Sequence, residues 1–525
     1  MEKLGNRILK GFNFLMLILF LPVLFCVFFI GNNMDYYENE KLTIMLSNFW
    51  LFIIALAAAG VWVVIFLKCK KIPHRNRDMI GNLLLIISFV VLYFINIQIT
   101  REIAFKSPWD YQEVREAAYL IANKEAIGYR YYFSMYSNNI PIIYILGKIY
   151  GKVMQIENYG YVYDFIWLQV NCVLISLAGY FSCLLVKKML KNWIPVIMMF
   201  LLYSSLVTLS PWKMSPYTDT YSMAFPVICI YLYVCFGKAE KLWMKYVLII
   251  LSLMSGMIGG FIKPSAYLAV FAVVFAEMIA FIKDYKGKMK FIVVEFLLLT
   301  ILYVGKGQCF NYIMNDIGFD FNPEIEMGWQ HYFMMGLNEE TTGGYNVEDG
   351  IMVGKYQTSK SDRIAAEMRI AKDRIKERGV AGSIDFWLRK MVKVFNDGTF
   401  AWYSDGIHIE EYYPADLASN TAFTTFWRER VWPDASHSGR YKTLCQLIWL
   451  FCLIGVPGIT LCRDEKYGEY AILTICFLGI FLYQMLFEAS ARYLYLFIPL
   501  VAVMSVCGMW KYAEYIDAFW KKREK

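Results

Sequence analysis

Apolar runs of 17 residues or more recur along most of this 525-residue chain. Each is long enough, as a helix rising 1.5 Å per residue, to cross the hydrocarbon core of a bilayer. Without water to satisfy its backbone groups, a run of that length in lipid must close its hydrogen bonds on itself, which only a helix does. Composition agrees: 58% of residues are hydrophobic, 18% aromatic and only 18% charged, with a mean hydropathy of +0.42. These values exclude a soluble enzyme, a secreted disulfide scaffold and a disordered regulator. The net charge of +8, from 52 Lys and Arg against 44 Asp and Glu, sits in short clusters between the apolar runs and forms no single patch, so no nucleic-acid partner is expected. Most of the twelve cysteines lie inside apolar segments, and Cys309 stands near the start of the long polar stretch after residue 305, so no disulfide framework is implied. The first run follows Lys3, Arg7 and Lys10 and lacks a small-residue cleavage site, which makes it a retained anchor helix.

Twelve spans are expected, at 12–31, 49–68, 80–98, 161–186, 193–209, 217–236, 246–264, 266–283, 291–305, 443–462, 470–487 and 493–511. A thirteenth apolar piece, 140–153, is interrupted by Pro141, Gly147, Lys148, Gly151 and Lys152. If it does not cross and both termini are cytoplasmic, the inner connections hold 25 Lys and Arg and the short outer ones hold four, Lys41, Lys213, Lys263 and Arg492. That asymmetry follows the positive-inside rule, so 140–153 is read as an interfacial helix on the outer face. The expected fold is an all-α multi-pass membrane protein with about twelve transmembrane helices. Residues 1–305 form a transmembrane region whose first outer loop, 99–160, carries interfacial helices. A small, mainly helical extracytoplasmic domain follows at 306–442, then C-terminal transmembrane helices and a cytoplasmic tail at 443–525. In the first loop the stretch after Pro108 is amphipathic, with Val114, Ala117, Ala118 and Ile121 on one face. In the second, helical pattern runs from Ser361 to Arg378 and from Ile384 to Phe395, with a GGYN turn before them.

Charges at a membrane edge are costly to keep, which singles out four outer positions. Asp110 stands in SPWDYQEV, Asp219 in PWKMSPYTDT, Lys263 in FIKPSA, and Glu488 with Arg492 in FEASARYLY. The threading brings all of them to one face.

These parts, in this order, resemble the GT-C superfamily of integral membrane glycosyltransferases: a first long outer loop with an acidic residue near its start (Asp110), surface helices after it, a second outer loop with another acid (Asp219), and a closing RYLYLFIPL segment. The resemblance covers most of the chain and rests on no single motif. It departs from the family in two extra N-terminal helices and in single Asp residues where a full Asp-x-Asp would stand. It implies a cell-membrane enzyme with its active site on the extracytoplasmic side, transferring sugar from a polyprenyl-phosphate donor to a glycan or glycolipid acceptor of the cell wall or surface, with inversion. Its partners would be that donor, that acceptor and membrane lipids.

The chemistry gives the residues roles. Asp110 is the first candidate for the base that takes the proton of the attacking hydroxyl. Asp219 would orient the acceptor or hold a divalent cation, Mg or Mn, which the sequence does not require. Lys263 and Arg492, with Lys213 and Arg130 behind them, are the cations to meet a phosphate leaving group, and Glu113, Trp109 and Glu488 complete the candidate substrate site. Plainer roles stand beside these. Asp110 and Asp219 each precede a helical run and suit a cap, Arg492 and Lys263 suit interfacial anchoring, and Glu488 suits pairing with Arg492. Asp110 and Glu113, one turn apart, would bind a cation or simply balance Arg115 and Arg130. The tyrosines at 129, 131, 132 and 136 fit an interfacial aromatic belt better than a sugar platform. His74, His331, His408 and His437 have no zinc spacing, and Glu277 and Glu295 fit polar pairing between helices. A polysaccharide polymerase and a transporter or lipid-glycan flippase are the alternatives, the latter expecting interrupted helices with charges near the midplane.

Overall fold

The computed structural model describes residues 2–31, 42–70, 78–103, 105–106, 110–128, 130–155, 160–352, 359–405, 410–411, 421–432, 435–462 and 467–523. Regular structure among them is helical except for one two-residue antiparallel pairing, Phe105 with Glu411 and Lys106 with Glu410. Among the described residues eight helices, from Lys3–Ile30 to Ser438–Leu461, are long and apolar enough to cross a membrane, and two shorter apolar helices, Trp193–Thr208 and Tyr470–Leu486, accompany them. Ten of the expected spans fall on these ten helices. Of the remaining two, 291–305 falls inside a longer and more polar helix, Tyr285–Asp316, and 493–511 is divided between the short Ala491–Tyr495 helix and the longer Ile498–Arg523 helix.

Exposure follows the apolar pattern in the way a lipid solvent demands. On the Asp78–Ile103 helix Ile80, Leu83, Leu84, Ile87, Val91 and Phe94 all face outward, an arrangement that water would not tolerate on one helix. The most enclosed element is the last helix, buried continuously from Ile498 to Lys511. It packs against the Asn48–Cys69, Gly160–Leu190, Trp193–Tyr203 and Ser438–Gly455 helices. Two glycines set the closest approach. A Cβ on Gly508 would lie 1.9 Å from the Gly455 carbonyl oxygen, so neither backbone has room for a side chain. In lipid, where apolar surfaces gain little by leaving the solvent, such close backbone contact supplies much of the association.

The expected amphipathic helix appears as Asp110–Ala122, with Val114, Ala117 and Ala118 buried. It lies against the Ile140–Val153 helix, whose 14 residues rise only about 21 Å and are too short to cross. Gly147 allows the contact, since a Cβ there would sit 2.5 Å from Ile121.

Two boundaries differ from the sequence expectation. The helix expected at 291–305 runs on to Asp316, so the domain limit at 305 falls inside a continuous helix. Lys148 of the Ile140–Val153 helix reaches Asp316 at 2.6 Å and supports that extension. The region 306–442 is also not separate from the bundle. Its two helical stretches form one run, Lys360–Phe395, broken at Gly379 where φ is +64°, and the C-terminal half drives into the transmembrane core. Phe395 meets Phe20, Phe477 and Phe481 with ring centroids 5.3, 6.2 and 6.0 Å away. Beyond it residues 397–401 stay buried between two helices and borrow hydrogen bonds from other side chains. Gln446 donates to Asn48 (3.1 Å) and Asn396 (3.2 Å) and accepts from the Gly398 amide (2.8 Å). Asp397 accepts from the Thr399 and Ala401 amides, both at 2.7 Å. Alternating hydrophobicity carried no sign of this insertion, because its polar residues are satisfied only by distant partners.

Lys390 fastens the insertion. Its buried ammonium donates to the carbonyls of Gly336 (2.6 Å), Met485 (3.1 Å) and Phe487 (2.6 Å), joining the Lys360–Phe395 run to the turn that follows Tyr467–Leu486. Elsewhere the expected polar pairing of Glu277 is found: Lys288 reaches its two oxygens at 3.2 and 3.0 Å, and the Tyr233 hydroxyl donates at 2.9 Å. The glycine contact generates a first prediction. Gly508→Val will force the last helix away from Ser438–Gly455 and lower stability by about 1–3 kcal/mol, read as a drop in thermal midpoint of the detergent-purified protein.

Candidate functional site

Three turns that are distant in sequence meet at one place. The first is the start of the Asp110–Ala122 helix, held by the contact with Ile140–Val153. The second is the irregular stretch before the Thr218–Ser222 helix. It is fixed by the indoles of Trp167, which donates to the Pro216 carbonyl at 3.1 Å, and Trp212, which donates to the Phe400 carbonyl at 2.9 Å. The third is the Ala491–Tyr495 helix, whose first turn is capped by the Ser490 hydroxyl accepting from the Arg492 amide at 3.3 Å. Asp110, Asp219 and Arg492 from these three turns line one narrow cleft, which Ser215, Tyr217 and Thr220 also line.

Asp110 is the end of a hydrogen-bonded chain. Tyr217 donates its hydroxyl to Asn139 Oδ1 at 3.1 Å, Asn139 Nδ2 donates to the Tyr132 hydroxyl at 3.0 Å, and Tyr132 donates to Asp110 Oδ1 at 2.7 Å. Burial pushes the Tyr132 and Tyr217 hydroxyls well above their ordinary range, and the Asp110 charge adds to the shift in both. They stay protonated and keep donating toward the carboxylate. Sequence reasoning placed Tyr132 in an interfacial belt with its neighbours. Tyr131 is indeed exposed, but Tyr132 turns inward. Within the YRYY string only the helical phase of Arg130–Met135 separates the two, and Asn139 and Tyr217 carried no signal of their own.

The remaining candidates divide. Asp219 forms an ion pair with Lys263, both largely buried, and the Lys263 ammonium also lies 5.2 Å from the Tyr493 ring centre. Asp219 is therefore a paired carboxylate at the cleft wall. Glu113, one turn beyond Asp110, has one carboxylate oxygen buried without a hydrogen bond, and burial, then Glu116 and Asp110, push its carboxyl up. Glu488 accepts the Tyr493 hydroxyl at 2.6 Å, and its amide donates to the Tyr332 carbonyl at 2.9 Å. Burial holds its carboxyl above the ordinary range, against the lowering effect of Tyr493 and Arg492, so its hydrogen-bond donor is the tyrosine while Arg492 acts on it electrostatically.

Of the four expected phosphate cations only Arg492 lines the cleft: Lys263 is held behind its wall by Asp219, and Lys213 and Arg130 lie elsewhere. Lys213 is fully enclosed, donating to Asn96 Oδ1 and the Thr208 carbonyl, both at 3.0 Å, and burial pushes its ammonium down to about 7. It is a structural tie that the outer-loop position alone could not distinguish from a surface cation. Arg130 is exposed at the start of its own short helix and does not line the cleft. Trp109 lies outside the described residues, as do Tyr129, His74 and His408. Among the described residues no three His, Cys, Asp or Glu side chains converge as a metal cage.

Two predictions follow from these charges. Replacing Lys263 by Met strands the Asp219 carboxylate and should cost about 3–5 kcal/mol, whereas Asp219→Asn with Lys263→Met should restore most of the loss; thermal unfolding of the two variants checks it. Glu488 binds its proton more tightly folded than unfolded, so its contribution is fully present below its unfolded value, 4.5, and is lost as pH rises through the folded one. Glu488→Gln should therefore gain stability relative to the natural protein as pH is raised from about 4 to about 8, measured as the difference in melting midpoint across that range.

A family model described as a conserved hypothetical integral membrane protein matches residues 2–512. No curated protein and no solved structure matches the chain.

Proposed function

The chain belongs to that family of integral membrane proteins, and from its cleft we propose that it transfers a sugar from a polyprenyl-phosphate donor to a hydroxyl of a glycan or glycolipid acceptor. The observation that carries the proposal is the convergence of Asp110, Asp219 and Arg492, from three separate segments, on one cleft. In this reading the chain crosses the membrane twelve times with both termini in the cytoplasm, and the cleft opens on the extracytoplasmic side.

Asp110 takes the acceptor's proton as its oxygen bonds to the anomeric carbon, and the carbon–phosphate oxygen bond breaks with the electron pair leaving on the lipid phosphate. Attack opposite the leaving group inverts the anomeric centre. Arg492 meets the charge that grows on the departing phosphate through charge-assisted hydrogen bonds. Because a phosphate is already a stable anion, no second carboxylic acid is needed to protonate it, which fits a site where the other acid, Asp219, is neutralised by Lys263. A carboxylate that receives the Tyr132 hydroxyl is also held in one orientation, which favours a productive approach. The transporter alternative receives less support, since the buried Glu277 is already paired with Lys288 and Tyr233.

Asp110→Asn should lower glycan decoration by about 100-fold or more at equal protein level, the usual scale for loss of a general base. Unchanged decoration would remove Asp110 from the mechanism.

A further inference from the structure

With Lys263 committed to Asp219 and Lys213 enclosed, the cation that first meets a lipid phosphate must be sought elsewhere. Lys306 is the candidate that sequence reasoning passed over. It stands on the Tyr285–Asp316 helix, where Ile301, Tyr303, Val304 and Tyr312 are all exposed on the flank of the bundle. Its ammonium lies 5.4 Å from the Tyr267 ring centre and makes no hydrogen bond or ion pair among the described residues. Glu326, the acid that acts on it electrostatically, is already engaged by the Ser137 hydroxyl at 2.6 Å and by Lys360 at 3.3 Å.

Its surroundings leave room for a ligand. Lys306 is flanked by Gly305 and Gly307, and a Cβ added at either would meet nothing within 4 Å. Two glycines in a helix interior each cost about 0.5–1 kcal/mol relative to alanine, and neither is repaid by a close helix contact here. Tyr267, the neighbour of Lys306, has a buried hydroxyl that lacks a hydrogen-bond partner among the described residues, as does Ser265 just before it in the chain. The turn that holds Ser265 begins at Lys263, whose partner Asp219 lines the cleft. A cation beside a tyrosine with an unsatisfied hydroxyl thus stands at the edge of an apolar helix face, close in the chain to the lysine that pairs with the cleft.

We propose that Lys306, with Ser265 and Tyr267, forms a docking site for the phosphate of a lipid phosphate that approaches sideways from the bilayer. The site deepens the glycosyltransfer reading: it receives the donor before Arg492 does. An anion hydrogen-bonded by a lysine and neutral hydroxyls suits a phosphate monoester or diester, and the exposed apolar residues of the same helix suit its hydrocarbon chain.

The test uses the full-length protein in nanodiscs of zwitterionic phosphatidylcholine, titrated with a polyprenyl phosphate and, separately, with inorganic phosphate, binding being read by native mass spectrometry. Lys306→Gln should weaken polyprenyl phosphate binding by about tenfold and Lys306→Arg should recover it. Melting midpoints of the variants report whether each is folded. Binding unaffected by Lys306→Gln, absent in the natural protein, or fully competed by equal inorganic phosphate overturns the site. Lysine-dependent binding without any sugar transfer upholds the site and sinks the glycosyltransfer reading instead.

Discussion

One ammonium group ties the two halves of the cleft's support together. Lys390 gives its three protons to carbonyls of Gly336, Met485 and Phe487, so a segment that begins as a surface helix ends clamped to the turn carrying Glu488 and Arg492. A charge buried this deeply is tolerated because three carbonyl dipoles replace its water shell, and removing any of them would leave an expensive unsatisfied group. The geometry of the third wall of the cleft therefore depends on a residue outside it.

The same logic explains why irregular backbone runs through the core at 397–401. Non-helical chain at such depth survives only where protein groups satisfy it, and Gln446 and Asp397 do so by accepting from the Gly398, Thr399 and Ala401 amides. Ionic contacts then close the remaining gap on the cleft side. The Lys263–Asp219 pair joins the turn at the end of Leu242–Ile262 to the Thr218–Ser222 helix, and Tyr493 lies against that lysine. Helix packing sets the frame, while polar side chains from the interrupted stretches set the cleft.

How much of this was legible beforehand depended on whether a residue's role is local. The apolar helices were readable because apolar length acts within each segment, and the amphipathic Asp110–Ala122 helix was readable from its own period. Threading placed Asp110, Asp219 and Arg492 on one face together with Lys263 and Glu488, and only the folded chain shows which of them line one cleft. Lys213 was misjudged because a loop position says nothing about enclosure, and only Asn96, 117 residues away, reveals it. Tyr132 was read as part of the belt, and Asn139 and Lys390 escaped notice, for the same reason: each is defined by partners that no local pattern names. The insertion of 383–405 into the bundle was hidden because its helical half reads like any surface helix.

The polarity of the Tyr217, Asn139, Tyr132 and Asp110 chain has a consequence for proton traffic. Every bond in it runs donor to acceptor toward the carboxylate, with the amide accepting on one side and donating on the other. No proton can pass along the phenols without the amide turning over, so the chain works as a brace: Tyr132 holds Oδ1 and leaves Oδ2 outside the chain.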